Sequence, residues 1–352
     1  MKQKILFLVG TQYHMLVCLS AIADQYSDAE KYDITIWQMQ TIGKERFAFD
    51  EHIAYPHVKY VLVPIASKEI GINPALKEKI ELAVKASYSY FIFFNDVDVL
   101  GVHMARVLKV GGTHVILGPD GMKALTVIKR IAPRWSLKFA LRYRKFRKDN
   151  QLKDGRGFYW PSMRYAYLKE IDEVWIPFVD QYVNWNSKKV TEVRVMESQA
   201  AVAAISSFFG FDPKKELKAT EKVFFLIGMP AITPHFEQMN LDLVTYFAQK
   251  FDDYTFMIKL HPSATAKQRA DMERIGKIEM IMTPFPAEIY IAQLKNSLIV
   301  SYWSTASLIN NPTCRFYWLY PILKKQTDLL NYMNLLNPTK HIVEVDEMEL
   351  VQ

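Results

Sequence analysis

The chain has 352 residues, 50% of them hydrophobic and 23% charged, with 13 Gly, 16 Pro and a formal net charge of +7. This composition excludes a disordered, fibrous or low-complexity protein, and the length suits two domains. No run approaches the ~20 apolar residues of a membrane-spanning helix, and Cys18 and Cys314 form neither a disulfide framework nor a metal-ligand spacing, so both thiols are expected free in the core of a cytoplasmic protein.

The first apolar run, Ile5-Leu6-Phe7-Leu8-Val9, is too short for the core of a signal peptide and is broken by Gly10-Thr11-Gln12-Tyr13-His14. It reads as a strand over 4–9. Further strands are predicted at 32–37, 58–63, 90–94, 114–117 and 173–176, with helices over 13–24, 73–86 and 97–110. Continuous apolar strands alternating with helices indicate a parallel sheet covered on both faces.

Between 129 and 164 twelve Lys/Arg stand against only Asp149 and Asp154, interleaved with Trp135, Phe139, Tyr143, Phe146, Phe158, Tyr159 and Trp160. Such a mixture fits an anionic membrane surface, an anionic glycan or nucleic acid, or else a solvated helix whose aromatics reach the core.

The polar stretch 212–221 reads as a linker. After it come strands at 223–227, 255–260, 278–282, 298–302 and 316–320, and helices over 236–250, 266–275, 287–294 and 322–333. The expected architecture is therefore α/β, with two Rossmann-like domains, 1–211 and 212–352, facing a central cleft.

Polar residues at predicted strand ends are the candidates for chemistry. Gly118-Pro119-Asp120-Gly121 places a carboxylate after the strand 114–117, where Gly121 lets the chain turn sharply and Asp120 could take a proton from a hydroxyl; the same residues also spell a plain turn. In Ile258-Lys259-Leu260-His261-Pro262 the proline ends a strand and leaves His261 at its edge, able to protonate or hydrogen-bond a leaving phosphate. Ser304, Thr305 and Ser307 follow the strand 298–302, where hydroxyls and backbone N–H groups can hold phosphate or merely cap a helix. Glu288, after Pro284-Phe285-Pro286, could bridge ribose hydroxyls or simply favour a helix start.

This ordered series, Asp-Gly, His-Pro, Glu and then a Ser-Thr pair, resembles the bacterial sialyltransferases of GT-B architecture, the lipooligosaccharide sialyltransferases and polysialyltransferase-like proteins among them. The resemblance implies that Asp120, with Gly121, is the general base and that His261, with Pro262, assists departure of the CMP phosphate. It implies Glu288 at the cytidine ribose and Ser304 with Thr305 at the phosphate. Val9 to Leu16 resembles the strand-to-helix opening of that group, which implies Gly10, Gln12 and His14 near the sugar, and Ile227-Gly228-Met229-Pro230 resembles the first loop of the nucleotide domain, with Gly228 beside the nucleotide. The sequence departs from the family at Pro119, where an acidic residue is usual.

What this resemblance implies is inverting transfer of sialic acid from a CMP-sugar donor to a glycan acceptor of lipooligosaccharide or capsule, with no metal, no other cofactor and no nucleic-acid partner. The 129–164 segment would then dock the cytoplasmic enzyme on an anionic inner-membrane surface. Three alternatives remain open: CMP-Kdo or another nucleotide sugar as donor; a metal-dependent GT-A-type site at Asp96-Val97-Asp98; and a non-catalytic nucleotide- or glycan-binding peripheral membrane protein.

Overall fold

A computed structural model of the chain describes residues 2–41, 55–65, 74–121, 126–128, 133–152, 165–179, 187–228, 234–261, 264–326, 333–335, 337 and 339–352. The chain divides into two compact units, Met1–Gly210 with Tyr332–Pro338, and Phe211–Asn331 with Thr339–Gln352.

The first unit runs β1 (Gln3–Val9), α1 (Gln12–Gln25), β2 (Tyr32–Thr41), β3 (Val58–Ile65), α2 (Pro74–Ala86), β4 (Tyr90–Phe93), α3 (Val99–Val110), β5 (His114–Leu117), β6 (Thr126–Ile128), α4 (Pro133–Asp149), β7 (Glu173–Ile176), β8 (Lys189–Glu192) and α5 (Gln199–Phe209). Seven strands form one parallel sheet in the order β3-β2-β1-β4-β5-β7-β8. β1 is buried from Ile5 to Val9, as expected of a central parallel strand covered on both faces. α1 starts where the Thr11 hydroxyl accepts the His14 N–H, and it is buried without interruption from His14 to Ala23 because it lies between the sheet and α5.

The second unit runs α6 (Pro213–Glu216), β9 (Val223–Ile227), α7 (Pro234–Lys250), β10 (Thr255–Lys259), α8 (Ala266–Ile275), β11 (Ile278–Met280), α9 (Ala287–Ile291), β12 (Leu298–Ser301), a 3-10 turn (Thr305–Leu308), β13 (Arg315–Trp318) and α10 (Tyr320–Gln326). The chain then contributes β14 (Met333–Leu335) to the first unit, where it pairs antiparallel with β6, before returning as β15 (Ile342–Glu344). The second sheet is also parallel, ordered β11-β10-β9-β12-β13-β15. Its central strand, Val-Phe-Phe-Leu-Ile, is wholly buried.

Several expected boundaries shift. The polar segment 212–221 carries a short helix, α6, capped by Asp212, and Glu221 bridges to Lys295. The expected helix 322–333 closes at Gln326 as far as the described residues go, and Met333 lies in a strand. The helix expected over 287–294 is only the five residues of α9. Cys18 is buried, but Cys314 is only half-buried. Among the described residues no helix is long and apolar enough to cross a membrane.

Candidate functional site

In each unit the strand order reverses beside the first strand: β1 separates β2 from β4, and β9 separates β10 from β12. Open parallel sheets bind ligands outside the carboxyl ends of the strands at such a reversal. The candidate residues follow those ends.

In the first unit, His14 is 3% exposed at the start of α1. The Gly10 N–H donates to its Nδ1 at 3.2 Å, so the ring proton resides on Nε2, which donates to Asp120 Oδ1 at 3.1 Å. Phe94, just past β4, stacks on the imidazole with centroids 4.7 Å apart and planes 12° apart, fixing its tilt. Asp120 follows β5, and Gly121 takes the left-handed conformation (φ +57°) that ends this turn. The Asp120 carboxylate is 22% exposed, and its Oδ2 has no hydrogen-bond partner among the described residues. An oriented carboxylate with one oxygen held and one open is suited to accept a proton.

The loop carrying Asp120 is tied down from behind. The Tyr165 hydroxyl donates to the Gly118 carbonyl at 2.7 Å, and the Ala166 N–H donates to buried Asp96 at 2.8 Å. Asp98 caps α3 through the Gly101 N–H at 2.7 Å, and burial raises its carboxyl above the usual value. Both acids of Asp96-Val97-Asp98 thus have structural partners. Among the described residues no group of three His, Cys, Asp or Glu side chains is disposed to hold a metal ion.

In the second unit, His261 follows β10. The Gly228 N–H donates to the Lys259 carbonyl at 2.9 Å, and a Cβ on Gly228 would lie 3.0 Å from Leu260 Cα and 3.3 Å from the His261 nitrogen. A Cβ there would press on this backbone, so glycine suits the close approach of β9. His261 reaches solvent, yet partial desolvation holds its imidazole below the ordinary histidine value. Lys259, one turn of the pleat earlier, donates to the Thr283 carbonyl at 2.8 Å and lies 5.6 Å from the Tyr290 ring. Burial lowers its ammonium to about 8, against the attraction of Glu288. Glu288, in the first turn of α9, is buried, and desolvation raises its carboxyl to about 7.

After β12 the chain makes a four-residue 3-10 turn rather than an α-helix. Ser304 caps it by accepting the Ala306 N–H at 3.2 Å, and the half-exposed Thr305 hydroxyl has no partner among the described residues. Ser307 faces inward instead. It is fully buried, its hydroxyl accepts the Trp318 indole N–H at 2.7 Å and donates to the Ser304 carbonyl at 2.6 Å. His341 Nε2 reaches the Ser307 carbonyl at 3.3 Å. Ser307 is therefore a strut for the turn, not a phosphate ligand as its spacing suggests.

No family model and no curated protein matches the chain. Solved structures do. The GT-B domain of a sialyltransferase from Photobacterium damselae superposes with a TM-score of 0.53 at 13% identity, covering 90% of this chain and 91% of that one. A sialyltransferase from Photobacterium damsela gives 0.55 at 12% identity, covering 97% and 81%. A UDP-GlcNAc 2-epimerase from Methanocaldococcus jannaschii gives 0.53 at 12% identity, covering 99% and 90%.

The fold is GT-B.

At these identities the likeness speaks for the GT-B fold alone. Within the two GT-B units, the sequence candidates fall into two sets: Gly10, His14, Asp120 and Gly121 at the first sheet's edge, with Gln12 half-buried in the first turn of α1; and Gly228, His261, Glu288, Ser304 and Thr305 at the second's. Pro262 and all of 153–164 lie outside the described residues. The direct His14–Asp120 hydrogen bond, the Phe94 stack, the Tyr165 tie, and the Lys259 and His341 contacts are not legible in the sequence. The available signal was Trp318, which stands beside Ser301 in the β12–β13 register.

Proposed function

We propose that the chain is an inverting glycosyltransferase that moves sialic acid from CMP-sialic acid to a sugar hydroxyl of a bacterial surface glycan, lipooligosaccharide or capsule. The observation that carries this reading is the His14–Asp120 pair: a carboxylate oriented through one oxygen, the other having no partner among the described residues and so placed to meet an incoming hydroxyl. Asp120 Oδ2 takes the acceptor proton as the acceptor oxygen bonds to the anomeric carbon and the bond from that carbon to the CMP phosphate breaks. His14 is a hydrogen-bond donor here, since Nδ1 is already occupied by the Gly10 N–H.

In the second unit, His261, Ser304 and Thr305 receive the charge that develops on the departing phosphate. Glu288, once ionised, accepts hydrogen bonds from the ribose hydroxyls. CMP is a good leaving group, so this reading calls on no metal.

The UDP-GlcNAc 2-epimerase of the same fold makes the nucleotide the point to test. CMP is expected to raise the melting temperature well above any effect of UDP. Transfer from CMP-sialic acid is expected to fall by at least about 100-fold in Asp120→Ala and in His261→Ala. Preferential stabilisation by UDP, or undiminished transfer in Asp120→Ala, would overturn the proposal; turnover of CMP-Kdo in place of CMP-sialic acid would reassign the donor.

A further inference from the structure

Helix α4 has an inner face that explains itself and an outer face that does not. Inward, Phe139, Ala140, Tyr143 and Phe146 are buried, and the Arg106 and Arg147 guanidinium carbons lie 5.7 and 5.8 Å from the Tyr143 ring centroid. Outward, Lys138, Arg142, Arg144, Lys145 and Lys148 are exposed. Among them Leu137 and Leu141 stand 46% and 54% exposed.

The two leucines are one helical turn apart, and at ~3.6 residues per turn Leu137, Leu141, Arg144 and Lys148 share an arc of roughly 60°. Lys145, Lys138 and Arg142 extend the same outer surface. The only carboxylate in the helix, Asp149, is engaged by Lys145 at 2.6 Å. A solvated helix of this charge has no use for a paired aliphatic ridge at the centre of its polar face.

We propose that this outer face of α4 docks on an anionic lipid bilayer, with Leu137 and Leu141 entering the interface and the surrounding cations pairing with lipid headgroups. Charge complementarity alone would also admit nucleic acid or a soluble acidic glycan. Neither offers hydrocarbon to the leucines, whereas a bilayer interface offers both partners in one plane. Arg147 is not part of this surface, because it turns inward onto Tyr143.

The test is co-sedimentation of the full chain with vesicles of phosphatidylcholine alone or mixed with phosphatidylglycerol. Binding is expected on the mixed vesicles only, weakening as salt shortens the Debye length. Replacing Arg144 and Lys148 together by Gln is expected to weaken it on the order of 30-fold, since each charge counts for about 1 kcal/mol near such a surface. Leu137→Ser with Leu141→Ser is expected to weaken it at least about tenfold while the salt dependence stays as in the parent. An unchanged melting temperature in both variants shows that the helix is intact.

The proposal is overturned if the parent ignores anionic vesicles, if the leucine variant binds like the parent, or if duplex DNA binds more tightly than the vesicles. None of these readouts involves turnover, so they stand or fall separately from the transferase reading.

Discussion

Replacing His14 by phenylalanine isolates the hydrogen bond on which the proposed base depends. Phenylalanine keeps a ring where the imidazole stacks on Phe94 at 4.7 Å, but removes the 3.1 Å contact to Asp120 Oδ1 and the acceptor of the Gly10 N–H. A hydrogen bond to a charged group contributes about 1.5–3 kcal/mol. His14 is 3% and Asp120 22% exposed, so water cannot fully replace the imidazole. If that orientation is realised in the transition state, kcat for sialyl transfer falls by about 10- to 150-fold in His14→Phe. The donor KM is expected to stay near the parent value, because the donor-binding candidates belong to the other unit. The assay is a double-mutant cycle in initial rates: His14→Phe, Asp120→Ala and the pair. Once Asp120 is gone His14 has nothing to orient, so the double variant should be no slower than Asp120→Ala alone. Equal losses from His14→Phe in both backgrounds, or no loss in the parent background, would refute the pairing.

Glu288 gives a pH prediction. Its folded value of about 7 lies above the ordinary 4.5, so between those values the folded protein holds a proton that the unfolded chain has released. Its contribution to stability therefore falls as pH rises from about 4.5 to 7, by at most about 3 kcal/mol, and Glu288→Gln should flatten that decline in melting curves recorded across the window. CMP affinity should rise over the upper part of the same range as the carboxylate forms, and lose that dependence in Glu288→Gln. Ser307→Ala strips the buried Trp318 N–H of its acceptor and should cost about 1–3 kcal/mol while weakening CMP binding; unaltered CMP binding would show that the Ser304–Thr305 turn stands without it. Gly228→Ala should raise the donor KM and lower the melting temperature, because its Cβ would press on backbone at 3.0–3.3 Å, whereas a Cβ on Gly10 crowds only the movable tip of the Met39 side chain, with His14 Nδ1 in ordinary contact at 3.7 Å, and Gly10→Ala should be milder.

Strands 114–117, 173–176 and 223–227 and helix 266–275 are legible end to end because local chemistry marks their limits. Helix 266–275, for instance, begins at a Thr265–Gln268 capping box and ends at Gly276. Other features depend on partners distant in sequence. β14 is three residues paired with β6, some two hundred positions away, and nothing in Met333–Leu335 alone distinguishes it from the end of the preceding helix. The hydroxyls of Ser304, Thr305 and Ser307 look equivalent in sequence. Burial against Trp318 and His341 makes Ser307 a strut, while the Thr305 hydroxyl has no partner among the described residues. His14 and Asp120 are both readable as candidates, but the contact between them spans 106 residues and exists only because β1 and β5 flank β4 in one parallel sheet.

That sheet order also explains why so few residues carry the proposed chemistry. In a parallel sheet every strand delivers its last residue to the same edge, and the reversal beside the first strand opens the helix layer there. The first unit uses the ends of β1, β4 and β5 for His14, Phe94 and Asp120, and the second uses the ends of β9, β10 and β12 for Gly228, His261 and Ser304. Each of these residues is reached within about five positions of a buried strand, so its backbone inherits the rigidity of the core. Side chains at such positions can be exchanged without refolding the sheet, which is how one GT-B frame serves both sialyltransferases and a UDP-GlcNAc 2-epimerase. The proposed transfer chemistry therefore rests on Asp120 and on the strand-end residues proposed to meet a nucleotide, and the CMP-against-UDP comparison addresses them directly.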